Sequence, residues 1–134
     1  MPNATVVVVD DDLDTLEMLN LGLTSAGYRT TLCSEAEDAY PLIRRTHPHL
    51  VLLDFVMAGP EAGWRMLLLL RRDPRTADIP VLMCSGNDDF LRIRARLLRL
   101  QHCALLDKPF RLDDLLAKVE TALSPPEMRQ VGGD

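Results

Sequence analysis

Apolar runs and helical patterns alternate along the whole chain. Ala4–Val9, Tyr28–Cys33, Leu50–Asp54, Ile79–Cys84 and Ala104–Asp107 read as short strands. Val6-Val7-Val8-Val9 and Leu50-Val51-Leu52-Leu53 are apolar without interruption. That pattern suits strands buried on both faces of a parallel sheet. Pro80 is tolerated at the beginning of its strand. Between the strands the apolar period lengthens to that of a helix. Asp14–Ala26 places Met18, Leu19, Gly22, Leu23 and Ala26 on one face and closes at Gly27. Ser34 and Glu37 have the spacing of a capping box that opens a helix through Arg45. A loop over Ala58–Gly63, broken by Gly59, Pro60 and Gly63, leads into a short helix, Trp64–Arg72. Asp88–Leu100 is a further helix. Leu112–Leu123 places Leu112, Leu115, Leu116, Val119 and Leu123 on one stripe.

The order is (βα)5, which implies an α/β fold with a doubly wound, five-stranded parallel sheet and right-handed crossovers. One domain is expected over residues 1–123. Residues 124–134, with Pro125-Pro126 and Gly132-Gly133, read as a flexible tail or linker stub.

In such a sheet the site lies beyond the carboxyl ends of the strands. The first strand opens into Asp10-Asp11-Asp12, the third ends at Asp54, the fourth at Ser85 and the fifth at Lys108. Several carboxylates gathered at one edge repel each other and call for a cation, a proton or a function. The natural cation for an all-oxygen set is Mg²⁺, with Mn²⁺ the alternative. The chemistry that suits carboxylates, a hydroxyl and an ammonium together is phosphoryl transfer to a carboxylate nucleophile. No GxxxxGK[ST] or GxGxxG is present, so a nucleotide cradle is not supported. The plain alternatives are that Asp10 and Asp11 only cap a helix, that Asp54 is a solvated strand end, that Ser85 is a turn residue and that Lys108 makes a surface pair. Their coincidence at one sheet edge weighs against all four.

Composition narrows the class further. The chain has 134 residues, 47% hydrophobic and 26% charged, as expected for one soluble domain. A formal net charge of −5 argues against direct nucleic-acid binding. No stretch is long and apolar enough for a membrane span, and no signal peptide is evident. Cys33, Cys84 and Cys103 lack CxxC spacing and read as reduced thiols of a cytoplasmic protein. His47, His49 and His102 have no matching zinc-ligand spacing.

The motifs Val9-Asp10-Asp11-Asp12, His49-Leu50-Val51-Leu52-Leu53-Asp54, Ile79-Pro80-Val81-Leu82-Met83-Cys84-Ser85-Gly86 and Asp107-Lys108-Pro109-Phe110, in this order and spacing, resemble those of response-regulator receiver domains, the chemotaxis regulators among them. The resemblance covers about Val6 to Leu123. It implies the flavodoxin-like strand order 2-1-3-4-5. It implies a non-enzymatic switch of two-component signalling, in which Asp54 accepts a phosphoryl group from a histidine kinase or a histidine phosphotransfer protein. Asp10, Asp11, Asp54 and the backbone carbonyl of Val56 would hold the metal, with Asp10 acting through water. Ser85 and Lys108 would meet the phosphoryl oxygens, and the Lys108–Pro109 peptide would be cis. Val56 and Asn87 occupy positions that tune dephosphorylation.

The chain departs from the family pattern in two places. The segment Met57-Ala58-Gly59-Pro60-Glu61-Ala62-Gly63 displaces the usual proline and is longer by one residue. Leu105 stands where the family has its switch aromatic. Asp14, Thr15 and Met18 lie where kinases dock in the family. Arg92, Arg96 and Arg99 share a helix face, with Arg94 nearby. A solvated basic face is the plainer reading, and a surface for an acidic output partner the sharper one; a phosphorylation-dependent homodimer is a separate open partner. In the Met66–Leu70 run, one or two leucines exceed what a core stripe needs. Two competing functions remain in view: a receiver-fold interaction module that works without phosphate, and a phosphatase with an aspartyl nucleophile. The phosphatase would want an acid where Val56 stands.

Overall fold

The computed structural model describes residues 3–57, 62–86 and 89–124. Five strands, β1 (Thr5–Val9), β2 (Arg29–Cys33), β3 (Leu50–Asp54), β4 (Val81–Ser85) and β5 (Cys103–Asp107), form one sheet of order β2-β1-β3-β4-β5. Every neighbouring pair is parallel. The doubly wound architecture and the strand order are those expected.

Side chains alternate across each strand, so neighbouring residues feed two different cores. Val7, Val9, Val51, Leu53, Val81 and Met83 face one side. There they meet Ala39 and Ile43 of α2 (Ala36–Thr46), Leu67 and Leu70 of α3 (Ala62–Arg72), Leu91 of α4 (Asp89–Ile93) and Leu98 of α5 (Ala95–Leu100). Val6, Val8, Leu50, Leu52, Leu82 and Cys84 face the other side. Their partners are Leu16, Leu19 and Leu23 of α1 (Leu13–Ser25) and Leu115 and Val119 of α6 (Leu112–Leu123). Burial on both faces is why β1 and β3 carry continuous apolar runs rather than an alternating pattern.

Several details differ from the sequence-based expectation, among them the exposure of Ala26 and Leu112. Met18 is 52% exposed, and Leu16 takes its place on the buried face of α1. The Ser34/Glu37 capping box does not form. The chain stays extended through Glu35, which is the N-cap of α2, so Ser34 lies one residue too early to cap it. Gly63 is not a loop breaker but the second residue of α3. Lastly, the helix expected over 88–100 is two helices, interrupted at Arg94. In a continuous helix the Arg94 N–H would donate to the carbonyl of Phe90. At the interruption the Arg94 backbone N–H donates to Leu91 O at 3.1 Å, and Arg94 Nη1 donates to Phe90 O at 3.0 Å.

Away from the carboxyl ends of the strands, Asp73 ties α2 to the turn before β4. Its carboxylate accepts hydrogen bonds from the Tyr40 hydroxyl and from Arg75 N (3.0 Å) and Nε (3.1 Å). Arg44 Nε lies 3.6 Å away. The Tyr40 and Arg75 hydrogen bonds hold the Asp73 carboxyl well below the usual carboxylate range. Cys33, Cys84 and Cys103 are all free and buried. Burial pushes the Cys84 and Cys103 thiols up to about 12, so neither is a ready nucleophile.

Candidate functional site

Chain order turns from one side of β1 to the other, because β2 flanks one edge of β1 and β3 the other. The crevice at that switch point, beyond the carboxyl ends of β1 and β3, is where a ligand site is expected. Asp10 follows Val9 directly, and its N–H continues the ladder by donating to Cys33 O at 3.0 Å. Asp54 is the last residue of β3, and its neighbour Phe55 donates to Cys84 O at 2.9 Å. Both carboxylates therefore sit on backbone held by the sheet.

Asp10, Asp11 and Asp54 each offer a carboxylate oxygen, and these oxygens lie within 4.8 Å of one another. Asp10 and Asp54 are buried, whereas Asp11 is exposed to solvent. Lys108 Nζ is 3.4 Å from Asp10 Oδ2 and 3.4 Å from Asp54 Oδ1. The Lys108–Pro109 peptide is cis. The Lys108 N–H donates to Ser85 O at 2.6 Å, which ties the lysine to the end of β4. Ser85 itself is buried and pairs in register with Asp107.

The electrostatics follow from this packing. Burial, reinforced by the Asp10 charge, pushes the Asp54 carboxyl above its ordinary value, and Lys108 opposes the shift. Burial disfavours the charged form of Lys108, but Asp54 and Asp10 outweigh it, and the ammonium is held more tightly than usual. A partly neutralised cluster of three carboxylates, open to water through Asp11, has the donor chemistry of a hard divalent cation. Val56, whose carbonyl was the expected fourth ligand, is 55% exposed beside the site. Asn87 lies outside the described residues, as do positions 58–61 of the long loop.

The remaining candidate residues are placed as follows. Asp14 and Met18 are exposed on α1, and the Thr15 hydroxyl donates to Asp12 Oδ2 at 2.6 Å. Arg92, Arg96 and Arg99 are exposed on α4 and α5, with Arg92 3.9 Å from Asp107. Leu105 is partly buried against the core that faces α2 to α5.

Two features escaped the sequence reading. Gly63 lies against the backbone that follows Asp54: its N–H donates to Phe55 O at 3.0 Å, and a Cβ there would come within 2.8 Å of Phe55 Cα. An aromatic stack also joins the site to α4. Phe55 and Phe90 stack with centroids 6.0 Å apart, Trp64 meets Phe90 edge-on at 5.6 Å, and the Arg94 guanidinium lies 3.7 Å over the Phe90 ring. The i, i+4 spacing of Phe90 and Arg94 was the available signal.

Fold and site together define a doubly wound α/β domain with an acidic cluster suited to a divalent cation at the carboxyl edge of its sheet, and comparison with known proteins gives its family. The model of the response regulator receiver domain matches residues 6–120, so the chain belongs to that family of two-component signalling proteins. It is similar to the phosphate regulon transcriptional regulatory protein PhoB of Pseudomonas aeruginosa, at 30% identity over 92% of this chain and 53% of that protein. It is likewise similar to the DNA-binding response regulator MtrA of Mycolicibacterium smegmatis, at 31% identity over 95% of this chain and 56% of that one. The chain thus spans about half the length of these curated relatives. Among solved structures, a putative response regulator from Chloroflexus aurantiacus superimposes with a TM-score of 0.80 at 27% identity, covering 92% of this chain and 99% of that one. Among the described residues no helix is long and apolar enough to cross a membrane.

Proposed function

We propose that this chain is a Mg²⁺-dependent phosphoacceptor switch, phosphorylated on Asp54 by a histidine kinase or histidine phosphotransfer protein. The observation that carries the reading is the placement of Lys108 3.4 Å from both Asp10 and Asp54, inside a cluster of three carboxylates. Asp10, Asp11, Asp54 and the Val56 carbonyl would hold the metal. When bound, the ion supplies charge that offsets the crowded carboxylates and the incoming phosphoryl oxygens.

A carboxylate oxygen of Asp54 attacks the phosphorus of a phosphohistidine. The P–N bond breaks as the new P–O bond forms, and the imidazole leaves with the electron pair and takes up a proton. Lys108 pairs with a phosphoryl oxygen, and Ser85 donates to another. The raised proton affinity of Lys108 keeps it charged for this role. The chemistry asks for no general base, because the nucleophile is already an anion.

We assign residues 1–123 to the receiver unit and 124–134 to a tail, whose residues 125–134 lie outside the described structure. Asp14, Thr15 and Met18 form the proposed donor-docking surface. Arg92, Arg96 and Arg99 form the proposed output surface, for an acidic partner; a phosphorylation-dependent homodimer is a separate proposal. The DNA-binding names of the relatives concern those longer proteins, and the net charge of −5 favours no direct nucleic-acid contact for this chain.

A second reading, a phosphate-independent interaction module, is favoured by aliphatic Leu105 at the switch position. Intact-mass analysis after incubation with Mg²⁺ and acetyl phosphate separates the two. The phosphoacceptor reading expects one added phosphoryl group, absent without Mg²⁺ and absent in Asp54→Ala. No adduct, either there or with a phosphorylated donor protein, favours the interaction module.

A further inference from the structure

We propose that the outer face of α3, formed by Arg65, Leu68, Leu69 and Arg72, docks on the outer face of α1 in a second copy of this chain, formed by Asp14, Glu17, Met18 and Leu21. The association needs neither metal nor phosphate and stands apart from the phosphoacceptor reading. Only its consequence for phosphodonor access rests on that reading.

Each face is a row at spacing i, i+3, i+4, i+7, so its four side chains lie together on one side of their helix. On α3, Leu67 and Leu70 fill the core, which turns Leu68 and Leu69 outward at 39% and 41% exposure. These are the leucines in excess of the core stripe. Arg65 and Arg72, both exposed, flank them. On α1, Leu16, Leu19 and Leu23 fill the opposite core, while Met18 and Leu21 face solvent, Leu21 at 60%. Asp14 and Glu17 are exposed beside them. Among the described residues none of these four charged side chains makes an ion pair.

The two rows match in length and in apolar content, and they are opposite in charge. Laid across each other, Leu68 and Leu69 meet Met18 and Leu21, and an arginine reaches Asp14 and Glu17. Removing these apolar side chains from water supplies attraction, and the charges select which helix is met. The rows cannot meet within one chain, because α1 and α3 pack on opposite faces of the sheet. The contact is therefore between copies and heterologous. Each copy offers α3 to one neighbour and α1 to another, so assembly runs head to tail. The other basic face is a poorer match: its helices have five and six residues, and Arg92 already lies 3.9 Å from Asp107. A neighbour seated on α1 covers Asp14 and Met18, so assembly and phosphodonor docking exclude each other at that face.

Sedimentation velocity of the full chain, without Mg²⁺ or phosphodonor and at rising concentration up to millimolar, is the test. Wild type is expected to sediment faster as concentration rises, with species beyond the dimer. Two variants each reverse one face: Arg65→Glu with Arg72→Glu, and Asp14→Lys with Glu17→Lys. All four positions are exposed, and circular dichroism melts check that each variant folds. Each variant alone is expected to associate at least about tenfold more weakly than wild type. An equimolar mixture is expected to regain association, because the intact α1 of one variant meets the intact α3 of the other. A wild type that stays monomeric at every concentration overturns the proposal. Association that survives either reversal, or that the mixture does not restore, overturns the pairing of α3 with α1. If a reversal fails to fold, Leu21→Gln repeats the comparison at an exposed position, and unchanged association there also overturns the contact. Phosphorylation of Asp54 is read separately by intact mass, so neither result decides the other.

Discussion

Two glycines of this chain should respond to alanine in opposite ways, and the shorter contact should be the harmless one. A Cβ on Gly22 would lie 2.5 Å from Leu112 Cδ1, while a Cβ on Gly63 would lie 2.8 Å from Phe55 Cα, 3.0 Å from Met83 Sδ and 3.1 Å from Asp54 O. Neither has the left-handed backbone that disfavours alanine; among the described glycines only Gly27 does, at φ 96°. The difference lies in what must move. Leu112 is 50% exposed, and the clashing atom is the end of a flexible side chain. It can swing into water, while alanine in mid-helix gains up to about 1 kcal/mol over glycine. Gly22→Ala should therefore be neutral or more stable by up to about 1 kcal/mol. At Gly63 the obstacles are backbone atoms of β3 and the residue after it, held by their own hydrogen bonds. Forcing a methyl group into such a site costs about 1–3 kcal/mol. In a domain of this size that lowers the melting temperature by about 3–10 °C. The displaced atoms also carry the Asp54 carboxylate, so Gly63→Ala should take up phosphate from acetyl phosphate more slowly, whereas Gly22→Ala should match wild type. Thermal melts followed by circular dichroism, with intact-mass time courses, test both halves. Equal stability and equal phosphorylation for Gly63→Ala would refute the claim that α3 is seated on the backbone around Asp54.

Other consequences follow from the charges. The Asp54 pKa is raised in the folded state, so its ionisation opposes folding: the contribution is absent below the unfolded value near 3.8 and grows as pH rises toward the folded one. Metal-free Asp54→Asn should accordingly melt above wild type at pH 7 and gain less from added Mg²⁺, as a melt with and without the ion would show. Asp73 has the opposite sign: its pKa is depressed, so its stabilisation is present above about pH 3.8 and fades as pH falls through the folded value. Asp73→Asn should be less stable than wild type at neutral pH, with the gap narrowing in acid; a constant gap in denaturant melts across that range would contradict the Tyr40–Arg75 account. If the apolar Val56 side chain beside the site slows attack by water, Val56→Asn should hasten loss of phosphate from Asp54, measured by decay of the adduct mass, and an unchanged decay would remove that role.

The sheet was legible because its strands are buried on both faces, and only continuous apolar runs such as Val6–Val9 and Leu50–Leu53 satisfy that. The acid cluster and Lys108 were legible for a related reason, since residues that directly follow such runs must emerge at one edge of the sheet. Helix ends were read less well. The Ser34/Glu37 pattern has the spacing of a capping box, but β2 holds the chain extended too far for Ser34 to act as the cap.

The sequence by itself determined the order of elements, the two-sided core and the residues at the carboxyl edge, because each depends on periodicity or on chain adjacency. Only the tertiary structure decided what lies beside that edge. That Gly63 rests on Phe55 Cα and that Phe90 stacks on Phe55 are contacts between segments whose distance is set by how α3 and α4 pack on the sheet. No local pattern encodes such distances, because they are sums over every side chain packed between the elements.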